Sequence, residues 1–436
     1  MISKAKALTD IANVFHPKAF TAKQMEFYQP TAAARDGEEF EYHEGLLSYI
    51  NESINDAHVL IFGHGGCGKS TELRVLAEKL SAQGTPSIIV EALDDLSLHD
   101  FTYIDIFVRI IERLTEYAKN NSLELDKRVF SAFQKALSTK TINEYWGNDA
   151  RASIEAGASV SVTLPFFLQF ISKISASLKM GSGIKEELRQ EIKPKMADIT
   201  EAVNAFLDNI NSLITEKKGG RKTVIIIDGL EKCRQECVRK LFTDDISSLR
   251  ALKTHMTIAC PISLYRSPDA AILMNNFDKV NLMPMIKTHN PDSDYSPYEK
   301  GVNVIRELIL KRVDNSLFEE GTLEEIILMG GGNLRDTCRI LVNCAHLAHM
   351  RKRNTIDKPS VDSTLTKDAA DIFLRVENKL FPIIERIYKG DNRLINDGNL
   401  GELLYAGAVF EYNGERWIDL HPLIRYHIDK NPKVLD

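Results

Sequence analysis

The spacing of hydrophobic and polar positions changes period several times along the chain, and each change marks an element. "HVLIF" (58–62) is an uninterrupted apolar run of strand character, and behind it "STELRVLAEKL" sets Leu73, Leu76, Ala77 and Leu80 at helical spacing. A short apolar helix, "EGLLSYINESI", leads into that strand; "PSIIVEA" reads as a second strand and "DIFVRIIERLTEYAK" as a strongly periodic helix. "ADITEAVNAFLDNINSLI" places Ile199, Val203, Phe206, Ile210 and Leu213 on one face and ends at the glycines of "KKGGRK". "TVIIIDGLEKC" is apolar without alternation, as a parallel strand buried on both faces requires. "HMTIACPISLYRS" and "FDKVNLMPM" supply two more strands. The alternation of strand and helix then stops at "KTHNPDSDYSPY", and a helical region opens with "YEKGVNVIRELILKRVD".

The expected fold class is therefore α/β, a parallel-sheet core followed by helices. We divide the chain into an N-terminal segment (1–45), a core (46–290), a helical lid (291–360) and a last unit (361–436). An insertion at about 150–195 interrupts the core. There Val160, Val162 and Leu164 alternate, as do Ile174, Ala176, Leu178 and Met180, so the expectation is a hairpin with the apolar tip "PFFLQF". The tip packs on its own domain or, if exposed, marks a contact with a subunit, partner or membrane surface. The uncharged run from Ala156 to Ser172 is about 17 residues, short of the roughly 20 of a helical span, so no membrane span is expected. In the last unit, "AADIFLRVENKLFPIIERIYKG" is helical, and Asn413-Gly414 between "AVFEY" and "RWIDL" signals a second hairpin. Helices followed by such a wing suggest a winged helix.

Composition adds limits. A chain of 436 residues exceeds one ordinary core, and 44% hydrophobic with 27% charged residues is the balance of a globular protein. A net charge of −6 argues against unspecific nucleic-acid binding by a surface basic all over, though not against a local basic face. The six cysteines show no CxxC pair or zinc spacing and read as reduced thiols in a cytoplasmic protein. "MISKAKALTDIANVF" lacks the apolar core of a signal peptide.

The chemistry centres on "GHGGCGKST" (63–71), which has full P-loop spacing in strand-loop-helix context. Gly63, Gly65, Gly66 and Gly68 let backbone N–H groups curl round phosphate oxygens, with Thr71 at the end of the cradle. Lys69 would reach the β- and γ-phosphates and Ser70 would hold magnesium. Asp228, at the carboxyl end of its strand, is the expected carboxylate for the magnesium shell. Many ATPases place a glutamate next, but here that residue is Gly229, and Glu231 is the nearest carboxylate that could polarise a water; it could equally be a helix-start or surface residue. Beside this strand, Cys260, Ser263 and Arg266 are candidates to approach a γ-phosphate. In "MGGGNLRDTCRIL", Asn333 can cap a helix, and Arg335 in its first turn opposes the helix dipole unless an anion lies opposite.

This order of parts resembles the AAA+ and STAND ATPases, in particular the origin-recognition-like branch with a helical lid and a C-terminal winged helix. The resemblance is carried by GHGGCGKST, "IIIDGLEK" and "GGNLRD", and it implies ATP and Mg2+ as cofactors, with Arg335 reading the phosphate tail from the lid. It implies an arginine finger as well, for which Arg250 and Arg266 are the candidates. A switch of this type would bind ATP, hydrolyse it slowly, and assemble with itself or with a separate sensor or effector protein, since no repeat of about 20–50 residues is present. Bacterial anti-phage defence is a setting where that branch is common. The alternative is a DNA-binding initiator or loader, for which "HMRKRN" (349–354) is the basic candidate. The charges about the wing, Glu411, Glu415, Arg416 and Asp419, favour protein over DNA contact.

Overall fold

Five apolar runs pair into one parallel sheet of order β2-β3-β4-β1-β5: β1 His58–Gly63, β2 Ser87–Glu91, β3 Val224–Asp228, β4 His255–Pro261 and β5 Lys279–Met283. The computed structural model describes residues 4–15, 22–124, 164–180, 183–218, 222–291, 295–391, 399–412 and 417–435. Strands β1, β3 and β4 are buried along their whole length, which is why they carry no polar alternation. Successive side chains point to opposite faces. Leu60, Phe62, Ile225, Ile227 and Ile258 join one core with the helices Tyr103–Asn120, Leu164–Met180 and Met196–Lys218, while Val59, Ile61, Val224 and Ile226 meet Leu73, Leu76 and Leu80 of the helix Lys69–Ala82 on the other face. The register sets Gly63 beside Pro261 and Asp228 beside Glu91, so the P-loop and the acidic strand end open at the same edge.

The expected hairpin at 150–195 is corrected. Residues Leu164–Met180 and Gly183–Ile192 form helices; Val160 and Val162 lie outside the described residues. Phe167, Phe170, Ile171, Ile174 and Leu178 are buried at helical spacing, whereas Met180, counted in the alternation, is 82% exposed. Period 3.6 and period 2 coincide over so short a run, and burial against the helix Tyr103–Asn120 selects the helix. The "PFFLQF" stretch is thus not a tip: Phe167 stacks on Phe206 at 6.2 Å inside the core.

Helices Glu299–Leu310, Thr322–Met329, Leu334–Met350, Lys358–Phe373 and Pro422–Lys430 share one apolar core, which also takes in Ala5, Leu8 and Ile11 from the N-terminal segment. Packing therefore runs unbroken across residue 360. β6 (Val409–Tyr412) and β7 (Trp417–Leu420) pair antiparallel with Tyr412 opposite Trp417, and the Asn413-Gly414 turn lies outside the described residues. The acidic wing surface expected here is corrected too. Glu411 and Asp419 are both fully buried, and Met285 N–H donates to the Glu411 carbonyl at 3.0 Å, so this hairpin lies against the sheet domain. Asp419 is enclosed by His289, Tyr295 and Arg425. Glu415 and Arg416 are outside the described residues.

Candidate functional site

The loop after β1 turns on glycines at Gly66 (φ +89°) and Gly68 (φ +117°), in the left-handed region that a Cβ disfavours. Lys69 folds back over it: Nζ donates to the carbonyls of Gly63 at 2.8 Å and His64 at 2.9 Å, and the residue is 3% exposed. Ser70 Oγ donates to Asp228 Oδ1 at 3.0 Å, while Asp228 Oδ2 is buried without a partner. Thr71 sits in the first turn, its N–H on the Gly68 carbonyl at 2.9 Å.

Gly229 has φ +85° and starts the short turn Leu230–Lys232, which swings Glu231 back towards the loop. A glutamate at 229 would be strained there, which accounts for the departure from the usual acidic pair. Glu231 Oε2 is buried without a partner, and Oε1 lies 3.8 Å from Arg335 Nη2. Burial, and then the neighbouring Glu231 charge, raise the pKa of Asp228 above the usual carboxylate range. Burial also acts to raise Glu231, but Lys69, its own backbone N–H, Lys232 and Arg335 outweigh it and hold this carboxyl below its ordinary value. The buried, donorless Oδ2 of Asp228, with the Ser70 hydroxyl on the same carboxylate, makes a hard oxygen set suited to Mg2+. Among the described residues no group of three or more His, Cys, Asp or Glu is built for a metal, so such an ion would take its remaining ligands from phosphate and water.

Asn333 joins the lid helix to the loop. Its Oδ1 accepts from the N–H groups of Arg335 (3.1 Å) and Asp336 (3.2 Å), and its Nδ2 donates to the Gly65 carbonyl at 3.0 Å. A Cβ on Gly66 would meet Asn333 Oδ1 at 2.2 Å, so the approach depends on that glycine. Arg335, half-exposed, reaches over Gly65 and Glu231.

These parts border one cavity of about 490 Å³. Its polar lining includes Gly66, Gly68, Lys69, Ser70, Thr71, Glu231 and Arg335, and its apolar lining includes Val14, Phe15, Leu308, Leu334, Cys338 and Val342. The size and the mixed lining suit a nucleotide, with phosphates at the P-loop and the base against the apolar side chains. Val14 and Phe15 come from the N-terminal segment, and sequence reasoning missed them; their only signal is the apolar pattern of "DIANVF". It also missed Arg35, fully buried, whose Nη2 donates to Cys67 O at 2.5 Å, Nη1 to Pro284 O at 2.5 Å and Nε to Thr31 Oγ1 at 3.0 Å, clamping the loop from behind. Glu72 is held by Tyr28 (2.8 Å) and His43 (2.9 Å) beneath the same cavity.

The remaining candidates separate. Cys260 is in the core, and Ser263 lines a second cavity. Arg266 is taken by Glu411: its Nε donates at 2.8 Å and its Nη2 makes a second bond. Arg250 pairs with Asp278 at 3.6 Å on the surface. His64 Nε2 accepts from the Glu411 N–H at 2.8 Å, and burial together with Lys69 pushes its pKa down to about 3, so the ring is neutral.

Residues 41–244 match the KAP family P-loop domain, and with the geometry above this part of the chain is a P-loop NTPase domain. No curated protein matches the sequence. Among solved structures, Cdc6p from Pyrobaculum aerophilum is 12% identical with 96% of this chain and 97% of that chain covered at a TM-score of 0.39. The Aeropyrum pernix ORC1 protein, solved with DNA, is 11% identical with 97% of each covered at 0.40. The Thermotoga maritima RuvB Holliday junction branch migration motor is 13% identical with 93% and 99% covered at 0.37.

Proposed function

We propose that the chain is an ATP-dependent switch that hydrolyses slowly and acts with copies of itself or a separate partner protein. The observation that carries this reading is the single cavity whose phosphate end is the P-loop and whose far wall is the lid and the N-terminal segment. A ligand gripping both can shift the equilibrium between closed and open forms, because its contacts differ in the two.

The residues divide the work. Lys69 leaves its loop carbonyls for the phosphates, a trade of one set of acceptors for a more charged one. Ser70 and Asp228 would hold Mg2+, which supplies charge neutralisation at the phosphates. Arg335 extends from the lid towards the γ-phosphate end. Water attacks the γ-phosphorus, the bond to the bridging oxygen breaks with its electron pair passing to ADP, and the water proton moves to Glu231. A carboxylate held below its usual range is a weak base, which fits slow turnover.

No specific observation favours the duplex-binding alternative: in "HMRKRN", Arg351 is bonded to Ser360 and Ser363 and Arg353 pairs with Asp357 at 3.2 Å. Among the described residues no helix is long and apolar enough to cross a membrane. A role in bacterial anti-phage defence belongs to this reading through the family resemblance. The test is ATP binding by calorimetry and assembly by light scattering with and without ATP. Lys69→Ala is expected to abolish both; assembly that is indifferent to nucleotide counts against the switch.

A further inference from the structure

The turn that brings Glu231 round also delivers a cation. Leu230–Lys232 is a single 3-10 turn, closed by the Lys232 N–H on the Gly229 carbonyl at 3.0 Å, and consecutive side chains on such a turn point about 120° apart. Glu231 faces Arg335, whereas Lys232 runs back over the end of β3, its Nζ 3.6 Å from the position that a Cβ on Gly229 would take. Where many ATPases place a glutamate after the strand's aspartate, this chain therefore sets an ammonium beside the backbone. Both Glu231 and Lys232 border the nucleotide cavity, together with Lys69 and Ser70.

Most other cations of that cavity are already engaged. Lys69 is on two loop carbonyls, Arg35 on those of Cys67 and Pro284, Arg312 on those of Leu308 and Phe27, and Arg339 on Asp336 and Asp368. Arg335 has only its 3.8 Å approach to Glu231 from the lid. Lys232 is half-buried and makes no side-chain hydrogen bond or ion pair among the described residues, although its charge is near enough to act on the carboxyls of both Asp228 and Glu231. An ammonium in the cavity wall, close to two carboxylates and bonded to neither, is placed to meet an anion that enters.

Phosphoryl transfer calls for such a group. Its transition state spreads charge over three equatorial oxygens, and a positive side chain from the same chain or from a neighbour stabilises it. Arg250 and Arg266 are taken by Asp278 and Glu411. We propose that Lys232 fills this place in cis, its ammonium touching a γ-phosphoryl oxygen from the core while Arg335 approaches from the lid. This role deepens the ATPase reading and rests on it. Lys232 moves no proton. Water attacks the γ-phosphorus, the bond to the bridging oxygen breaks with its electron pair passing to ADP, Glu231 takes the water proton, and Lys232 holds the charge on the oxygen it touches. The set of groups for hydrolysis is then complete within one chain.

The test is single-turnover cleavage of ATP by the full chain, beside calorimetric titration with ATP and ADP. Lys232→Ala is expected to slow cleavage about a hundredfold, the weight of one preorganised group on developing charge, with ADP affinity unchanged and ATP affinity within about tenfold of the wild type. Lys232→Arg should keep most of the rate, and Lys232→Gln should be as slow as Lys232→Ala. The urea midpoint should stay in place in all three, since no bonded partner is lost. Mixing Lys232→Ala chains with Glu231→Gln chains, which keep Lys232 but lack the proton acceptor, should restore nothing. Unchanged cleavage in Lys232→Ala, or an equal loss of ATP and ADP affinity, overturns the role; cleavage that returns on mixing overturns its action in cis. A wild type that binds neither nucleotide, or binds ATP without cleaving it, defeats the ATPase reading instead, and this shows before any variant is made.

Discussion

Two arginine–glutamate pairs connect the sheet domain to the helices and hairpin that follow it. Arg266 and Glu411 are 10% and 0% exposed in their side chains and meet through two hydrogen bonds, and the same Glu411 holds His64 through its N–H and Met285 through its carbonyl. Arg335 and Glu231 stand 3.8 Å apart, the arginine 47% exposed and no hydrogen bond made. Glu411 thus ties the C-terminal hairpin to the P-loop through His64 and to the segment after β4 through Arg266. The loose pair borders both cavities, beside the P-loop where the phosphates of the proposed nucleotide would lie. A contact that a ligand must remake is left unmade, and the ones that must survive are buried and bidentate.

Breaking the tight pair should have the largest effect. Glu411→Ala strands a buried guanidinium and should cost about 3–5 kcal/mol of stability, read from the urea midpoint. Arg266→Met with Glu411→Leu removes both charges and should recover most of that loss, because the penalty lies in the unpaired charge. A double variant as unstable as the single one would locate the effect in the hairpin backbone. Arg335→Ala sits at the opposite extreme for folding, with a change within about 1 kcal/mol. Its effect belongs to the ligand: preference for ATP over ADP should fall about tenfold in calorimetry, one charge-assisted hydrogen bond. Equal loss of ATP and ADP affinity would mean that the arginine reads something other than the γ-phosphate.

His64 sharpens the comparison through pH. Its ordinary pKa is 6.5 and the fold holds it at about 3, since a proton would sit buried beside Lys69 on the nitrogen that accepts from Glu411. The stability this residue contributes is complete above the unfolded value and is lost as pH falls towards the folded one, by about 1.4 kcal/mol at pH 5.5. His64→Gln keeps a side-chain acceptor and removes the titration. Its unfolding free energy should therefore fall less steeply than that of the wild type between about pH 6.5 and pH 5, and parallel curves would show that His64 is not the group that titrates.

What the sequence made legible follows the same division. GHGGCGKST, the strand ending in Asp228 and the Asn333 cap are local patterns, and their geometry is set within a few residues by glycine dihedrals and helix capping. Gly229 looked like a missing catalytic group and is instead the left-handed residue that brings Glu231 round. Arg35 on Cys67, Val14 and Phe15 on the cavity, and Glu411 on Arg266 join segments tens to hundreds of residues apart, and no spacing along the chain records them. The acidic residues of β6 and β7 were misread for a related reason. Charge in a short strand signals solvent unless a partner is known, and Arg266 on Glu411 and His289 on Asp419 lie more than a hundred residues earlier, though Arg425 on Asp419 follows within six.

The smallest effect is expected at Arg250, the second candidate finger. Its guanidinium reaches Asp278 and the Asn276 carbonyl, and Asp278 in turn accepts from the His58 N–H at 2.7 Å. His58 opens β1 and Gly63 closes it, so Arg250 stands at the edge of the sheet opposite the phosphates, about 16 Å away at roughly 3.3 Å per residue. Within its own chain it has no path to the nucleotide, and a surface pair of this kind is worth little. Arg250→Ala should change stability by less than about 0.5 kcal/mol and leave ATP turnover as it was. A fall in turnover at unchanged nucleotide affinity would carry the opposite meaning. If turnover then returned on mixing with Glu231→Gln chains, which keep Arg250 and the P-loop grip but lack the proton acceptor, the arginine would be acting on a neighbour's phosphates.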